Sequence, residues 1–87
     1  MARYELRVRA SVSKDLRGVP KAQVRRILAR IETLGDDPRA LGCEKLGGAE
    51  LYRVRQGAYR IVYEIHDAWI VVEVIRVGHR GEVYRGR

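Results

Sequence analysis

This 87-residue sequence is poor in the residues that several classes of protein require. Its single cysteine, Cys43, has no second thiol with which to form a disulfide bond, and its two histidines, His66 and His79, are too few to complete a zinc site. No apolar run approaches the roughly 20 residues that cross a bilayer. The opening residues alternate between polar and apolar, so we expect neither a signal peptide nor a transit peptide. Disulfide-stabilised, zinc-binding and membrane proteins are therefore excluded, and we expect a cytoplasmic protein without metal or cofactor.

Internal repeats, low-complexity tracts and linkers are also absent. Hydrophobic residues make up 46% and charged residues 33% of the sequence, which is the balance of a folded globular chain. A chain of 87 residues has room for one domain, which we expect to span residues 1–87.

What the sequence has in excess is positive charge. Lys and Arg number 18 against 11 Asp and Glu, which gives a net charge of +7 at pH 7, and every cation except Lys14, Lys21 and Lys45 is an arginine. Such a charge attracts polyanions, and a planar guanidinium suits phosphate better than an ammonium group does. The alternative is ordinary solvated surface charge, so the positions of the arginines must decide between the two.

The first half of the sequence predicts one strand and two helices. Polar and apolar residues alternate over residues 3–9, which predicts the strand. A short helix is predicted over residues 11–16, because serines at its start can cap it. A longer helix is predicted from Pro20 to a stop at residues 35–38, since its apolar positions are three and four residues apart. Those positions are Val24, Ile27, Leu28, Ile31 and Leu34.

The second half predicts strands. Residues 39–50 contain several glycines and are predicted to form a loop. The predicted strands span residues 50–55, 59–66 and 69–77, with a further short strand over 82–85. The fold class is therefore α+β, a single domain with a strand and two helices followed by three or four antiparallel strands. If both helices cover one face of the sheet, the other face is open to a ligand.

The predicted hairpin brings arginines together on the open face. With a turn at Gln56-Gly57, Arg53 lies directly across from Arg60. Facing like charges repel, and a bound anion would relieve the repulsion, so the pattern favours a phosphate site. The alternatives are that the arginines extend into water, or that glutamates of the same face neutralise them. The open face is predicted to carry Arg53, Arg55, Arg60, Glu64 and Glu73, with Val71 and Ile75 between them, and the core face to carry Tyr59, Ile61, Tyr63, Ile65, Ile70, Val72 and Val74.

A second group of reactive side chains follows the last long strand. His79, Arg80 and Tyr84 lie close together in the sequence, beside glycines that let the backbone turn. An imidazole transfers protons near neutral pH, and a phenol can stack on a base or form a hydrogen bond. Taken alone, such a histidine and tyrosine are more often structural.

The hairpin and the terminal segment together resemble the RelE/ParE superfamily of bacterial and archaeal toxins. The resemblance is carried by residues 52–63, with their Arg-Tyr-Arg spacing around the turn, and by residues 77–84, in which Gly-His-Arg is followed by Val-Tyr. The turn at 35–38 and the approach to the hairpin at 45–48 also fit, so the resemblance covers nearly the whole chain. It implies a RelE-like fold and a toxin of a type II toxin–antitoxin pair.

RelE-type members enter the ribosomal A site and cut the messenger RNA there. The resemblance therefore implies an endoribonuclease that needs no metal, because the 2′-hydroxyl of the RNA itself attacks the phosphate. It also implies that Arg60 contacts the scissile phosphate, that Arg80 stabilises charge and assists the leaving group, and that Tyr84 stacks on or orients the RNA.

Proton transfer and further phosphate binding need other residues. His79 is the candidate for proton transfer, with Tyr84 or Glu64 as substitutes. We expect one surface to carry the whole set, which is Arg53, Arg60, His79, Arg80 and Tyr84. Arg53 and Arg55 are expected to bind RNA phosphate, although active members of the family often have lysine on this strand. Arginine is a poor general base because its pKa exceeds about 12.

The resemblance leaves two alternatives open. Members of the ParE branch inhibit DNA gyrase without catalysis, and a silent member would only bind its antitoxin. Either way a cognate antitoxin is the expected partner, with the ribosome and messenger RNA added for the nuclease. The net positive charge and an exposed apolar strip of Val62, Val71 and Ile75 would suit an antitoxin segment with acidic and apolar residues.

Three further residues are given structural interpretations. Trp69, beside the second turn, is expected to pack rather than to stack on a base. His66 is expected to be structural, and Cys43 is expected to be inert in its loop.

Overall fold

The computed structural model describes residues 3–48 and 50–79, which form a five-stranded sheet with two helices on one face. The elements are β1 (Glu5–Val8), α1 (Val12–Asp15), α2 (Lys21–Asp36), β2 (Cys43–Lys45), β3 (Leu51–Gln56), β4 (Tyr59–His66), a 3-10 turn (Asp67–Trp69) and β5 (Val71–His79). The strand order is β1-β5-β4-β3-β2, in which β1 pairs with β5 in parallel and all other pairs are antiparallel. The α+β class and the order strand, helix, helix, strands are therefore confirmed.

The core lies between α2 and the sheet. Ile27, Ile31 and Leu34 of α2 are at most 4% exposed and pack with the apolar side of β3, β4 and β5. The predicted apolar stripe of α2 is wrong at one position, because Leu28 is 45% exposed. It follows Ile27 by about 100° around the helix and so turns away from the line of buried residues. No helix among residues 3–48 and 50–79 is long and apolar enough to cross a membrane.

The hairpin turn lies one residue later than predicted. Gly57 has φ of 61° and Gln56 pairs with Tyr59, so the two-residue loop is Gly57-Ala58. A glycine at the first loop position supplies this positive φ without steric cost. As a result Arg60 pairs with Arg55 rather than with Arg53, and the predicted pairing of Arg53 with Arg60 is wrong.

A β-bulge interrupts the pairing of β4 with β5. Tyr63 pairs with Val74 but Val62 pairs with Arg76, so Ile75 is the extra residue of the bulge. Beyond it the alternation of β5 is reversed relative to a regular strand. Arg76 therefore takes the place on the helix-free face that was predicted for Ile75.

The start of β5 and the presence of β2 differ from the prediction. Residues 69 and 70 do not belong to β5, because Asp67–Trp69 form the 3-10 turn and Ile70 has φ of 53° and is 43% exposed. Ile70 is therefore not a core residue. The short edge strand β2 was predicted as loop, and it places Cys43 half-buried against the core. The predicted strand over 82–85 lies outside the described residues.

Candidate functional site

Three arginines line a cavity on the face of the sheet that has no helix. Arg53 and Arg55 extend from β3, Arg60 extends from β4, and Glu44 of the edge strand β2 pairs with Arg53. The cavity has a volume of about 390 Å³. It is lined by Gly42, Cys43, Glu44, Arg53, Arg55 and Arg60. The predicted sharing of one face by the three arginines is thus confirmed.

Burial distinguishes Arg53 and Arg60 from ordinary surface charge. Arg60 is 8% exposed, and the side chain of Arg53 is 20% exposed. Arg60 lies directly across from Arg55, so two guanidiniums share one cross-strand site. Like charges in this position repel, and burial of a cation is costly, so the arrangement favours an anion in the cavity. Several guanidinium forks can bind one phosphate through charge-assisted hydrogen bonds.

The carboxylate of Glu44 serves as an internal anion for this cluster. Arg53 donates from Nε and Nη2 to Oε1 of Glu44, at 2.8 and 2.5 Å. The hydrogen bonds from Arg53, its charge, and the charges of Arg55 and Arg60 lower the pKa of Glu44 below its ordinary value. Glu44 is therefore ionised at neutral pH and offsets one of three positive charges. Sequence reasoning missed it, because a three-residue edge strand carries no clear alternation.

His79 lies on the other face of the sheet from Arg60. It pairs with Tyr59, and the two rings make an edge-to-face contact with centroids 5.6 Å apart. Its cavity is lined by residues of the helical side, which are Asp15, Gly18, Val19, Tyr59, Val77, Gly78 and His79. The residue of β5 opposite Arg60 is Gly78. The prediction that His79 shares the arginine surface is wrong, and the cause is the bulge at Ile75, which reverses the faces of the strand end.

The remaining predicted site residues lie elsewhere. Glu64 is on the helix-free face but beside His66, whose Nε2 is 3.2 Å from its Oε1. Arg80 and Tyr84 lie outside the described residues, and their roles stay predictions. Two of the three residues of the apolar strip predicted for a partner are buried, because Val62 and Val71 are 5% and 6% exposed, and Ile75 is half-buried. Their neighbours on this face are long polar side chains, whose aliphatic parts can cover such valines.

A second charged network, also missed from the sequence, holds the loop after α2. Arg39 donates to the Tyr52 hydroxyl at 3.0 Å, to Glu50 at 2.9 Å and to Asp67 at 2.8 Å. The Tyr4 hydroxyl also donates to Asp67, at 2.7 Å. The hydrogen bonds from Arg39 and then from Tyr4 lower the pKa of Asp67 to about 2. This network joins the ends of β1, β3 and β4 and is structural.

The fold is that of a toxin of a type II toxin–antitoxin system. A family model described as the ParE toxin of the type II toxin–antitoxin system parDE matches residues 6–84. The chain belongs to this family, within the RelE/ParE toxin superfamily. The resemblance stated from the sequence is confirmed.

Individual relatives include both sequences and solved structures. The chain is 32% identical over 90 residues to Toxin RelG of Mycobacterium tuberculosis, with 94% of this chain and 97% of that protein covered. The toxin–antitoxin complex RelBE2 of the same organism has a TM-score of 0.80 at 26% identity, covering 90% of this chain and 99% of that chain. The isolated Escherichia coli RelE toxin has a TM-score of 0.76 at 27% identity, covering 94% and 92%.

Proposed function

We propose that this toxin is a ribosome-dependent endoribonuclease that cleaves messenger RNA in the A site. The observation that carries the proposal is the cavity on the helix-free face, in which Arg53, Arg55 and the buried Arg60 converge. A nucleic acid is a polyanion that such a cavity fits, because each phosphate can accept hydrogen bonds from two guanidiniums. Relatives named RelG and RelE support the same branch of the superfamily.

Cleavage by the 2′-hydroxyl has a defined chemistry. The 2′-oxygen attacks phosphorus, a 2′,3′-cyclic phosphate forms, and the 5′-oxygen leaves with a proton. The arginines would bind the non-bridging oxygens, on which negative charge increases in the transition state. A well-placed donor of this kind contributes roughly 3–4 kcal/mol. No step of this scheme uses a metal ion.

Proton transfer is proposed for His79, with Arg80 and Tyr84 next to it in the sequence. His79 and Arg60 lie at the same end of the sheet, because Tyr59 pairs with His79 and Arg60 pairs with Gly78. They face opposite sides, so the proposal requires the RNA to pass around this end of the sheet. Glu64 is a poorer substitute for proton transfer. It lies opposite Leu51 of β3, at the other end of the hairpin from the pair of Arg55 and Arg60.

Glu44 competes with an incoming phosphate for Arg53. A phosphate that enters the cavity must take Arg53 from the carboxylate with which it is paired. Weak single anions would not displace Glu44, whereas RNA brings neighbouring phosphates that bind several arginines together. The cavity would therefore favour a nucleic acid over a free monoanion.

A cognate antitoxin is the proposed partner. Solved neighbours of this chain include RelB–RelE complexes from M. tuberculosis, Pyrococcus horikoshii and E. coli. The net charge of +7 favours an antitoxin segment with acidic residues. Co-expression and co-purification with the product of the adjacent gene would test this partner.

The test is purified translation of a reporter message with the toxin, followed by primer extension. We expect cuts inside the reading frame that disappear when translation is blocked. Arg60→Ala, Arg80→Ala and His79→Gln should each reduce cleavage. The matched control is Arg25→Ala, because Arg25 is exposed on α2. Full cleavage by Arg60→Ala would contradict the proposal.

The second candidate is a DNA gyrase inhibitor, favoured by the match of residues 6–84 to the ParE toxin family. A gyrase supercoiling assay with the same protein separates the two functions. Growth arrest with intact message and inhibited supercoiling would establish the gyrase target. No arrest and no effect in either assay would indicate a silent member that binds only its antitoxin.

A further inference from the structure

A second group of ligand-bearing side chains lies on the helix-free face, away from the arginine cavity. Glu64 and His66 are two residues apart on β4, and Glu73 lies on β5 directly across from Glu64. One ligand atom of each residue lies within 4.8 Å of the others. We propose that Glu64, His66 and Glu73 bind a divalent transition metal ion, of which Zn²⁺ is the best match. The expectation that two histidines are too few for a zinc site did not count carboxylates as ligands.

The distances suit such an ion. His66 Nε2 lies 3.2 Å from Glu64 Oε1 and 3.8 Å from Glu73 Oε1. In a tetrahedral site with zinc–ligand bonds of about 2.0–2.1 Å, neighbouring ligand atoms are about 3.3 Å apart. Small rotations of the two carboxylates therefore bring all three atoms into range. The strands fix the three Cα positions, so little backbone ordering is required.

The charges of the site indicate a cation independently of the histidine. Glu64 and Glu73 form a directly opposed pair of like charge, which by itself destabilises a sheet. Arg9 lies 3.5 Å from Oε2 of Glu73, so Oε1, on the side of His66, is left for the metal. Arg7 lies across from Glu73 on β1, but its Nε forms an ion pair with Glu5 at 3.4 Å. A divalent ion would turn the repulsion of the two carboxylates into attraction for a shared centre.

The donor set selects the class of metal. Imidazole with carboxylates suits Zn²⁺ and neighbouring transition metals, whereas Mg²⁺ prefers oxygen ligands alone. The side chains of Glu64, His66 and Glu73 are 35%, 40% and 30% exposed, so an ion can enter from solvent. An adjoining cavity of about 550 Å³ leaves room for a water as the fourth ligand. The proposal is independent of RNA cleavage, because the arginine cavity shares none of these residues.

Trp69 provides a fluorescence signal for metal binding at this site. It is the only tryptophan of the chain, is 79% exposed, and lines the same cavity as His66 and Glu73. The expectation that Trp69 packs against the protein is therefore wrong, because most of the residue is exposed to solvent. Untagged, chelator-treated toxin should be titrated with Zn²⁺ and with Co²⁺ while its fluorescence is recorded. We expect saturable binding of one ion, quenching by Co²⁺, and a Tm several degrees higher with Zn²⁺.

Variants assign the ion to the site. His66→Gln and Glu73→Gln should each weaken binding at least tenfold, and Glu64→Gln is the second carboxylate variant if either one fails to fold by circular dichroism. His79→Gln is the matched control, because it removes the only other imidazole and should keep the titration unchanged. Unchanged binding in His66→Gln, loss of binding in His79→Gln, or displacement of Co²⁺ by equimolar Mg²⁺ would each overturn the proposal.

Discussion

Replacement of Arg60 with methionine should stabilise the fold while it removes function. Arg60 is 8% exposed and lies opposite Arg55, so the folded state contains a buried cation beside a like charge. Methionine has a similar length and no charge, and it can occupy the same space next to the buried Val62. The substitution therefore separates the effect of Arg60 on the stability of the fold from its proposed effect on message cleavage.

The magnitude follows from two contributions. Opposed like charges on neighbouring strands cost about 0.2–1 kcal/mol. Replacement of a whole buried ion pair by well-packed apolar side chains ranges from neutral to about 1–4 kcal/mol of added stability, and Arg60→Met, which replaces only a cation, belongs at the low end of this range. Arg60→Met also loses the attraction of Glu44, which keeps Arg53 as its hydrogen-bonded partner. We expect a net gain of about 1 kcal/mol, which in a domain of this size raises Tm by roughly 4–8 °C.

The assay is thermal unfolding followed by circular dichroism, with message cleavage measured on the same samples. Arg55→Met is the matched control: it removes the same repulsion from an exposed position and should change Tm less. Arg60→Lys keeps the charge and should not stabilise. A fall in Tm for Arg60→Met would refute the reasoning, because it would mean that the guanidinium contributes more to the fold than its burial costs.

Three further predictions concern single groups. Glu44→Gln should tighten RNA binding and make the salt dependence of log K steeper by about 0.7 in filter-binding assays, because one more arginine becomes available to a phosphate. Tyr63→Phe should lower the free energy of unfolding in urea by about 1–2 kcal/mol, because the buried hydroxyl donates to the Pro38 carbonyl at 2.7 Å and its loss leaves that acceptor unpaired. Asp67 has its pKa lowered from 3.8 to about 2, so its contribution to stability is present above about pH 4 and is lost as pH falls towards 2. Acid unfolding curves of wild type and Asp67→Asn should therefore differ at pH 5 and converge near pH 2, and parallel curves would contradict this assignment.

The arginine face could be predicted from the sequence even though its pairing could not. Moving the hairpin turn from Gln56-Gly57 to Gly57-Ala58 changes the partner of Arg60 from Arg53 to Arg55. The side chains that share a face stay the same, because the shift changes each pairing by two residues and the strand period is two. The buried positions of α2 were predictable for a similar reason, since its apolar spacing matches the helical period.

The parts of the fold and the site that were not predicted depend on features that no local sequence pattern marks. Strand β2 has three residues at the edge of the sheet, so neither alternation nor a long apolar run marks it, and Glu44 was missed with it. The bulge at Ile75 depends on how β4 and β5 pair over their whole length, which no local pattern in β5 specifies. His79 was therefore assigned to the wrong face.

The extra residue in β5 also determines which side chains at the end of that strand lie on each face of the sheet. With Ile75 present, Val77 completes the core at 3% exposure, and Arg76 adds a positive charge to the helix-free face. A regular pairing that kept Ile75 in the ladder would exchange these contents: Val77 would turn to solvent, and His79 would move to the side of Arg60 at the expense of the core. Because Ile75 is taken up as a bulge, the strand keeps Val77 in the core and holds His79 on the helical side of the sheet, beside Tyr59.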